Sequence, residues 1–562
     1  MIRSGRSGGP GRPGRPDPSR HSDPLGPPGL PAPPDRGRAA ARARSGGAVF
    51  VAAGILLSRL AGLVRQRVFS HYFGLRTDPA DAFTAAFRIP NFLQNLFGEG
   101  ALSASFIPVY AALVARGERR EADRVAGAVA SLLALIVAVI VLIGVVATPL
   151  FIDAVAPGFH GAKRALTIDL VRILFPGAGL LTMSAWCLGV LNSHRRFLLS
   201  YASAVVWNVA MIATLLIYGS GAALPRLAVI LAWGSVVGSA LQFAVQLPVV
   251  FRVAPDLRFA LDTASAHVRT IGFNFAPVLV SRGVVQVSAY VDQLIASLLG
   301  TGAVTGLQNA STLYTLPVSL FGISVSAAEL PAMSSIGGDD PAAGDALRAR
   351  LDAGLRRIAF FVVPSAVAFL ALGDVIVGAL FQTGRFDRTD SRYVWGILAG
   401  SAVGLLASTL GRLYSSAYYA LRDTRTPLRF AIVRVILTTV LGYLCAIPLP
   451  RLLGVDMWWG AAGLTASAGV AGWAEMLLLR ARLNSKIGRT GLAAPYVATL
   501  WGSAAAGAAA GWAIKLALPP LHPIAAAALI LGAYGAVYLG ATIALNVPEA
   551  RAALRRARLL SR

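Results

Sequence analysis

Arginine residues inside long apolar stretches are the feature of this 562-residue sequence that suggests chemistry. Arg59 shares one helical face with Gly62 and Gln66 in the first such stretch, and Arg65 lies on a different side of the same helix. A charge at the centre of a bilayer costs at least about 2.5–3.5 kcal/mol, so each arginine should face a partner or a hydrated cavity. Because a planar guanidinium donates two parallel hydrogen bonds, the expected ligand is a phosphate-like anion.

A stripe of polar residues follows the second apolar stretch. Asp81, Arg88, Asn95 and Glu99 are spaced by 7, 7 and 4 residues, which places them on one helical face, with Asn91 beside it. One interpretation is a hydrated, cationic chamber in which the arginines bind an anion. The alternative is a set of internal ion pairs that lock helices together, such as Arg88 with Asp81 or with Glu99.

Two further arginines lie in the second half of the sequence. Arg282 aligns with Gln286 and Gln293 on one face of the seventh apolar stretch, and Asp292 lies on its flank. Arg282 either contacts the same anion or neutralises Asp292, and the spacing leaves both interpretations open. Arg434 is isolated in a later stretch, and we consider it together with Asp292 as a candidate ion or gating site.

The composition predicts that these residues lie in a membrane. Apolar residues make up 56% of the chain and charged residues 14%, whereas a typical globular protein has roughly 25% charged residues. Apolar stretches of about 20 residues recur from residue 48, each long enough to cross about 30 Å of hydrocarbon as a helix. The predicted fold class is an all-α polytopic membrane protein with fourteen spans. They are 48–74, 82–114, 125–152, 166–191, 197–219, 224–251, 271–299, 306–335, 355–382, 393–419, 428–449, 457–479, 493–518 and 523–546.

The basic residues orient the chain. A formal charge of +25 would suggest a nucleic-acid partner in a soluble protein, but here the basic residues concentrate in alternate loops, and cytoplasmic loops are the ones enriched in lysine and arginine. We therefore expect a plasma-membrane protein with both termini in the cytoplasm and no nucleic-acid partner. Residues 1–46, rich in Pro, Gly and Arg, are predicted to form a disordered basic tail, and residues 547–562 a second basic cytoplasmic tail.

An internal repeat divides the apolar region. Arg59 recurs as Arg282 and Pro108 recurs as Pro331, both at an offset of 223 residues. The repeat unit is six helices, an even number, so its copies have the same orientation and a substrate site is expected between them near the membrane midplane. The predicted domains are an N-lobe at 48–251, a C-lobe at 271–479, and helices 13 and 14 at 493–546 outside the repeat.

Catalytic motifs are not found in the sequence. No G-x-x-x-x-G-K motif occurs, so we expect no ATPase site. The six histidines show no metal-ligand spacing, and no nucleophile lies at a supporting distance from a base. We therefore expect a transporter rather than an enzyme, without a cofactor or a metal.

Several motifs, taken in order, resemble the MurJ (MviN) family of lipid II flippases. The specific block comprises residues 58–65 (Ser-Arg-Leu-Ala-Gly-Leu-Val-Arg), 81–83 (Asp-Ala-Phe), 87–93 (Phe-Arg-Ile-Pro-Asn-Phe-Leu), 97–101 (Phe-Gly-Glu-Gly-Ala) and 106–108 (Phe-Ile-Pro). Residues 157–159, 191–193 and 420–427 resemble later family motifs, so the resemblance covers about residues 48–546. It implies the MOP exporter fold, in which two six-helix lobes surround a central cavity and two extra helices form a groove for the polyprenyl tail.

The resemblance also implies which residues line that cavity. The substrate-binding positions carried over are Arg59, Arg65, Asp81, Asn91 and Glu99, with Arg88 where a basic residue is usual. The chain departs from the family pattern at Gln94, Thr312 and Thr315, where charged residues are usual. We interpret Arg282 and Asp292 as replacements for those lost charges.

The function implied is export of lipid II by alternating access, coupled to the membrane potential, H⁺ or Na⁺. Some relatives use an acidic residue near Asp292 to hold a cation, and Arg434 would compete with that cation here. The expected partners are lipid II and membrane lipids, and we expect a monomer that associates with cell-wall synthesis proteins. The alternatives are a flippase for another polyprenyl-pyrophosphate oligosaccharide, such as an O-antigen or teichoic unit, and a MATE-like cation-coupled antiporter.

Overall fold

A computed structural model describes residues 36–336, 341–519 and 521–560. Within these ranges it describes all side chains except those of 36–53, 55, 98–100, 276–278, 280–289, 341–342, 553 and 556–560. Residues 50–562 form one compact unit. The described ranges consist of helices and loops without a β-strand, which confirms the predicted all-α class.

The N-lobe comprises the first eight helices. They are α1 (Arg36–Phe73), α2 (Asp78–Leu96), α3 (Ser103–Arg116), α4 (Arg119–Val146), α5 (Thr148–Val155), α6 (Gly161–Ser193), α7 (Phe197–Tyr218) and α8 (Leu224–Val253). A π-helical segment, Phe97–Leu102, joins α2 to α3, so that together they make one long span.

The C-lobe comprises the next nine helices. They are α9 (Ala266–Ser297), α10 (Ala303–Pro317), α11 (Ser324–Ser334), α12 (Pro341–Phe381), α13 (Arg388–Val403), α14 (Leu405–Ala420), α15 (Arg425–Ala446), α16 (Pro448–Leu453) and α17 (Gly460–Ile487). Beyond it lie α18 (Ala494–Ala517), α19 (Pro523–Ala544) and α20 (Pro548–Leu560).

Eleven helical segments in the described part of the chain are long and apolar enough to cross a membrane. The remaining three predicted spans coincide with α1, with α2 together with α3, and with α9. Arg59 and Arg65 lie in α1, Arg88 lies in α2 and Arg282 lies in α9, whereas Arg434 lies in α15. The number fourteen is consistent with this arrangement and stays a prediction.

The two lobes repeat the same packing. In the N-lobe, α6 packs against α2, α4 and α8, and α7 packs against α8. In the C-lobe, α13 packs against α10, α12 and α17, and α15 packs against α17. A second π-helical segment, Val318–Ile323, interrupts the C-lobe span where Phe97–Leu102 interrupts the N-lobe span. This correspondence supports the duplication inferred from the 223-residue offset.

The first helix corrects one boundary of the predicted disordered tail. α1 begins at Arg36, so residues 36–46 are helical where Pro, Gly and Arg content predicted disorder. The prolines of the tail end at Pro34, and the alanine-rich run that follows has a high intrinsic preference for helix. Residues 1–35 lie outside the described residues.

The family motif at residues 420–427 contains a loop that is held by hydrogen bonds to one carboxylate. The carboxylate of Asp423 accepts hydrogen bonds from the Thr426 backbone nitrogen at 3.0 Å and hydroxyl at 2.8 Å, and from Lys486 Nζ at 2.8 Å. The hydrogen bonds from Lys486 and Thr426 hold the pKa of the Asp423 carboxyl well below its usual range. This group therefore stabilises the start of α15 and ties it to α17.

Helices α18 and α19 are anchored to the C-lobe through α12. Lys515 Nζ donates to Asp374 at 2.6 Å, and the hydroxyls of Tyr534 and Tyr538 each donate to a backbone carbonyl of α12 at 2.6 Å. These contacts leave much of both helices exposed toward lipid, as their large exposed apolar side chains indicate.

We predict that Gly463→Leu destabilises the protein. A β-carbon at Gly463 in α17 would clash with the carbonyl oxygen of Cys445 in α15, so a larger side chain must push these helices apart. Overpacking of this kind costs typically about 1–3 kcal/mol. The thermal unfolding midpoint in detergent should fall, whereas Gly502→Leu, at a position with nothing within 4 Å, should leave it unchanged. Equal midpoints for the two variants would contradict the close approach.

Candidate functional site

A polar chamber lies between the two lobes. Its larger part has a volume of about 530 Å³ and is lined by α1, α2, α6, α7 and α8 of the N-lobe and by α10 of the C-lobe. A smaller part of about 260 Å³ continues along α1 and α2 and reaches α9. The two parts share Arg65, Gln66 and Gln308, and we call them together the central chamber.

Three of the sequence-predicted arginines line the central chamber. Arg59 lines the larger part, Arg65 lines both parts, and Arg88 lines the smaller part. Asn91 and Asn95 line the smaller part beside Arg88. Cationic groups thus face the same space with neutral amides, which is the donor set that a phosphate-type anion needs.

Arg65 is held by aromatic contacts. Its guanidinium carbon lies 5.1 Å from the ring centroids of both Phe87 and Trp207, and Nη1 points to the sulfur of Met211 at 3.7 Å. No ion pair of Arg65 is found among the described side chains. The aromatic rings favour the cation without using up its hydrogen-bond donors, so those donors remain available to an anion.

Arg88 is supported through its backbone. The hydroxyl of Tyr290 in α9 donates to the Arg88 carbonyl oxygen at 3.1 Å. Phe92 packs edge-on against Tyr290, with centroids 5.6 Å apart. A contact from the C-lobe therefore fixes the N-lobe helix where its arginine enters the chamber.

Asp81 does not line the chamber in this structure, and its role in substrate binding stays a prediction. The side chain is fully buried, and its carboxylate accepts hydrogen bonds from Lys163 Nζ at 2.9 Å, from the Gly302 backbone nitrogen at 2.7 Å and from the Thr305 backbone nitrogen and hydroxyl at 2.9 and 2.7 Å. Its oxygens are thus occupied by α6 and by the first turn of α10, where the helix dipole favours a negative charge. The sequence suggested an ion pair between Asp81 and Arg88. In the structure, Asp81 pairs with Lys163 instead.

Further contacts join the lobes at the same end of the bundle. Arg76 pairs with Asp387 at 3.0 Å and with Asp390 at 2.8 Å, and its guanidinium lies 5.5 Å from the ring centroid of Trp458. His71 Nδ1 lies 2.8 Å from the Thr383 hydroxyl. We call these contacts and those of Asp81 the inter-lobe latch.

The opposite end of the bundle differs from the latch end in its ion pairs. The described side chains there make ion pairs within one lobe, such as Arg350 with Glu329, and make none between the lobes. The larger part of the chamber extends toward this end, where Ser200 and Leu316 line it. The chamber is therefore sealed by polar contacts at the latch end.

Not every predicted site residue can be placed. The backbones of Glu99 and Arg282 lie in the π-helical segment Phe97–Leu102 and in α9, but both side chains lie outside the described residues. Asp292 and Arg434 line a separate cavity beside the chamber, together with Arg88. The three positions that depart from the family pattern do line the chamber as uncharged polar groups; they are Gln94, Thr312 and Thr315.

Some chamber residues were not identified from the sequence. Trp207 was not distinguished from a lipid-facing aromatic, because its apolar helix carries no periodic polar stripe. Asn309 is buried behind the chamber wall and was also missed; it accepts a hydrogen bond at 2.7 Å from the chamber residue Gln66, across the lobes. The only available signal was a polar residue within an apolar stretch, as for Gln66.

The comparisons with known proteins agree with this geometry. A family model described as lipid II flippase MurJ matches residues 69–532. The chain belongs to the MurJ family. It is 32% identical over 430 residues to lipid II flippase MurJ of Burkholderia cenocepacia, covering 75% of this chain and 80% of that protein. It is 31% identical over 394 residues to a probable lipid II flippase MurJ of Haemophilus influenzae, covering 68% and 77%.

Solved structures show the same fold. A lipid II flippase MurJ in an inward closed conformation matches with a TM-score of 0.72 at 22% identity, over 88% of this chain and 98% of that one. An inward-facing MATE family multidrug transporter of the MOP superfamily matches with a TM-score of 0.62 at 16% identity, over 76% and 95%. The expected MOP exporter fold is confirmed, and the protein is a multi-pass membrane protein of the MurJ family.

We predict that Trp207→Leu weakens anion binding in the central chamber. Loss of the ring removes one aromatic contact of Arg65, and such contacts contribute about 0.5–2 kcal/mol, or about 2- to 30-fold in affinity. Titration calorimetry with inorganic pyrophosphate measures the change. Trp207→Phe should recover part of the affinity, and Trp233→Leu, which removes an exposed tryptophan of α8, should not change it. Unaltered binding by Trp207→Leu would refute the role of the ring.

We also predict that Asp81→Asn opens the latch end. The change removes the negative charge that accepts hydrogen bonds from Gly302 and Thr305 of the C-lobe, and a hydrogen bond to a charged group contributes about 1.5–3 kcal/mol. Spin labels on Gly221 in the N-lobe and Leu452 in the C-lobe should report a longer distance population. The control is Asp153→Asn, which removes a carboxylate paired with Arg164 inside the N-lobe. The latch assignment is wrong if both variants give the wild-type distribution.

Proposed function

We propose that this protein is a lipid II flippase, which moves the undecaprenyl-pyrophosphate-linked disaccharide-pentapeptide from the cytoplasmic to the outer leaflet by alternating access. The single observation that carries the proposal is the arginine-lined chamber between two lobes, which inter-lobe ion pairs and hydrogen bonds of the described side chains latch together at one end. Membership of the MurJ family supports lipid II as the substrate. The activity is transport, not catalysis.

The orientation follows from the distribution of basic residues. Cytoplasmic loops are enriched in lysine and arginine, and this rule assigns the latch end to the outside and both termini to the cytoplasm of the bacterial plasma membrane. In this orientation the central chamber is the site that receives a substrate from the cytoplasmic side. The structure then corresponds to a state before export.

Arg59, Arg65 and Arg88 have separate roles in substrate binding. Arg59 is exposed on the larger part of the chamber and would meet the pyrophosphate first. Arg65, fixed by Phe87 and Trp207, and Arg88, supported by Tyr290, hold the anion deeper in the chamber. Asn91 supplies a neutral amide beside Arg88. From the family resemblance, Glu99 and Arg282 are proposed to complete the set.

The polyprenyl tail stays in lipid throughout. Helices α18 and α19 expose large apolar side chains and are held to the C-lobe by contacts with α12, so they are suited to guide the tail. The head alone then crosses the membrane inside the chamber, which avoids exposing its charges to hydrocarbon.

Export requires the latch to break and the opposite end to close. Arg76 must leave Asp387 and Asp390, and Asp81 must leave the first turn of α10. The moving anion gains about 2.3 kcal/mol per charge per 100 mV of inside-negative potential. We propose the membrane potential as the driving force. Arg434 lines the same cavity as Asp292, which disfavours a Na⁺ ion there.

The alternative functions are less well supported. A MATE-like antiporter shares the fold, but export of cations favours an acidic cavity, and arginines line this one. A flippase for another polyprenyl-pyrophosphate oligosaccharide would use the same cationic chamber, so the headgroup must be tested directly. We propose that the protein acts as a monomer in association with cell-wall synthesis proteins.

We predict that Arg59→Ala, Arg65→Ala and Arg88→Ala each slow the export of lipid II. A hydrogen bond to a charged group contributes about 1.5–3 kcal/mol, so each change should cost about tenfold or more. The measurement follows the transfer of lipid II across vesicles that contain the purified protein and carry an inside-negative potential. Arg226→Ala, which removes an exposed arginine outside the chamber, is the matched control.

Depletion of the protein in cells distinguishes lipid II from other polyprenyl-pyrophosphate substrates. Depletion of the protein should cause lipid II to accumulate on the cytoplasmic side of the membrane. Accumulation of another polyprenyl-pyrophosphate oligosaccharide with normal lipid II export would instead support the alternative flippase. Full transport by all three alanine variants would refute the phosphate-binding role of the arginines.

A further inference from the structure

A second cavity adjoins the central chamber on the C-lobe side. It has a volume of about 240 Å³ and is lined by residues of α9, α10, α13, α14, α15 and α17, with Arg88 of α2 at its boundary. Arg88 also lines the smaller part of the chamber, and Ser311 also lines the larger part. This cavity, which we call the side pocket, therefore borders both parts of the chamber, at Arg88 and at Ser311.

Charges of both signs line the side pocket. Oδ1 of Asp292 is buried and has no hydrogen-bond partner among the described residues. Arg434 faces the same space and donates through Nη1 to Glu475 at 3.1 Å, and its other guanidinium nitrogens make no hydrogen bond within the described part of the chain. A buried carboxylate oxygen without a hydrogen bond is costly even beside two arginines, so Oδ1 of Asp292 can still accept a hydrogen bond from a ligand.

The rest of the lining is neutral and rich in hydroxyl groups. The hydroxyl of Tyr314 lies 2.7 Å from that of Ser408, so these two form a fixed pair on the wall. The hydroxyls of Ser401, Ser408 and Thr465 donate to backbone carbonyls, so their oxygens can accept hydrogen bonds from the N–H groups of a peptide. The hydroxyl-bearing residues of the lining are Ser311, Tyr314, Ser401, Ser408, Thr438 and Thr465.

A peptide fits this pocket better than a sugar or a single cation does. A sugar has no charge to pair with Asp292. A lone cation would be repelled by Arg88 and Arg434, and it would leave most of the 240 Å³ unused. A group that carries an ammonium and a carboxylate complements both signs of charge at once.

We propose that the side pocket binds the peptide of the lipid II headgroup, with Asp292 accepting a hydrogen bond from a free ammonium group of the peptide and Arg434 donating to a peptide carboxylate. This proposal rests on the proposed function and deepens it. Arg88, at the boundary of both cavities, remains with the pyrophosphate. The chamber thus selects the lipid carrier, and the side pocket selects the peptide.

Binding of chemically altered lipid II tests the ammonium contact. The probes are lipid II with lysine in its peptide and the same lipid with that amine acetylated, each titrated against the full-length protein in nanodiscs. The wild type should bind the acetylated form roughly tenfold more weakly, the loss expected for one charged hydrogen bond. Asp292→Asn should bind the two forms equally. Asp169→Asn, which removes an exposed carboxylate of α6, should keep the tenfold preference.

A second variant tests the carboxylate contact independently. Arg434→Gln should lose the preference of the wild type for lipid II with a free peptide carboxylate over lipid II with that carboxylate amidated, and should keep the preference for the free amine. Misfolding would not remove only the amine preference in Asp292→Asn and only the carboxylate preference in Arg434→Gln.

Several outcomes would overturn the proposal. The side pocket does not bind the peptide amine if the wild type binds acetylated and free-amine lipid II equally. The same conclusion follows if Asp292→Asn still prefers the free-amine form. A loss of Na⁺ or H⁺ dependence in Asp292→Asn with unchanged discrimination would assign Asp292 to coupling, and the proposed function would stand. Failure of the wild type to bind either lipid would overturn the proposed function as well.

Discussion

The cost of a guanidinium in hydrocarbon is the constraint on which the rest of this structure depends. Arg59, Arg65 and Arg88 lie in helices that must cross the membrane, so their side chains require water, aromatic faces or an anion. The N-lobe alone cannot provide this environment, because α10 completes the wall of the larger cavity and α9 reaches the smaller one. The charges that bind the ligand thus also decide which helical faces the two lobes present to each other.

The inter-lobe latch depends on the cost of burying a second kind of charge, the carboxylate of Asp81. Asp81 is stable in the interior only because an amine and the first turn of α10 satisfy its oxygens. These partners lie on both lobes, so the buried carboxylate stabilises one arrangement of the lobes and opposes the other. A carrier that alternates between two arrangements needs contacts of this kind, which are strong in one state and absent in the other.

The candidate site could be predicted in part. Helical spacing identified Arg59, Arg88 and Asn91 as residues on polar faces, and all three line the chamber. The same reasoning placed Asp81 with them, although Asp81 does not line the chamber. A periodic stripe shows which residues share a helical face, but it does not show which element packs against that face. Lys163 is 82 residues away in the chain and Gly302 is 221 residues away, so no local pattern connects them to Asp81.

The sequence by itself determined the membrane class, the repeat and the arginine-bearing helices, because hydropathy, periodicity and a fixed offset are properties of the chain alone. Only the tertiary structure decided that Trp207 supports Arg65, that Asp81 joins the lobes, and that Asp292 and Arg434 share a cavity with Arg88. The physical reason is that the environment of a buried charge is set by residues from other helices. Their approach depends on how the two lobes pack, which sequence spacing does not encode.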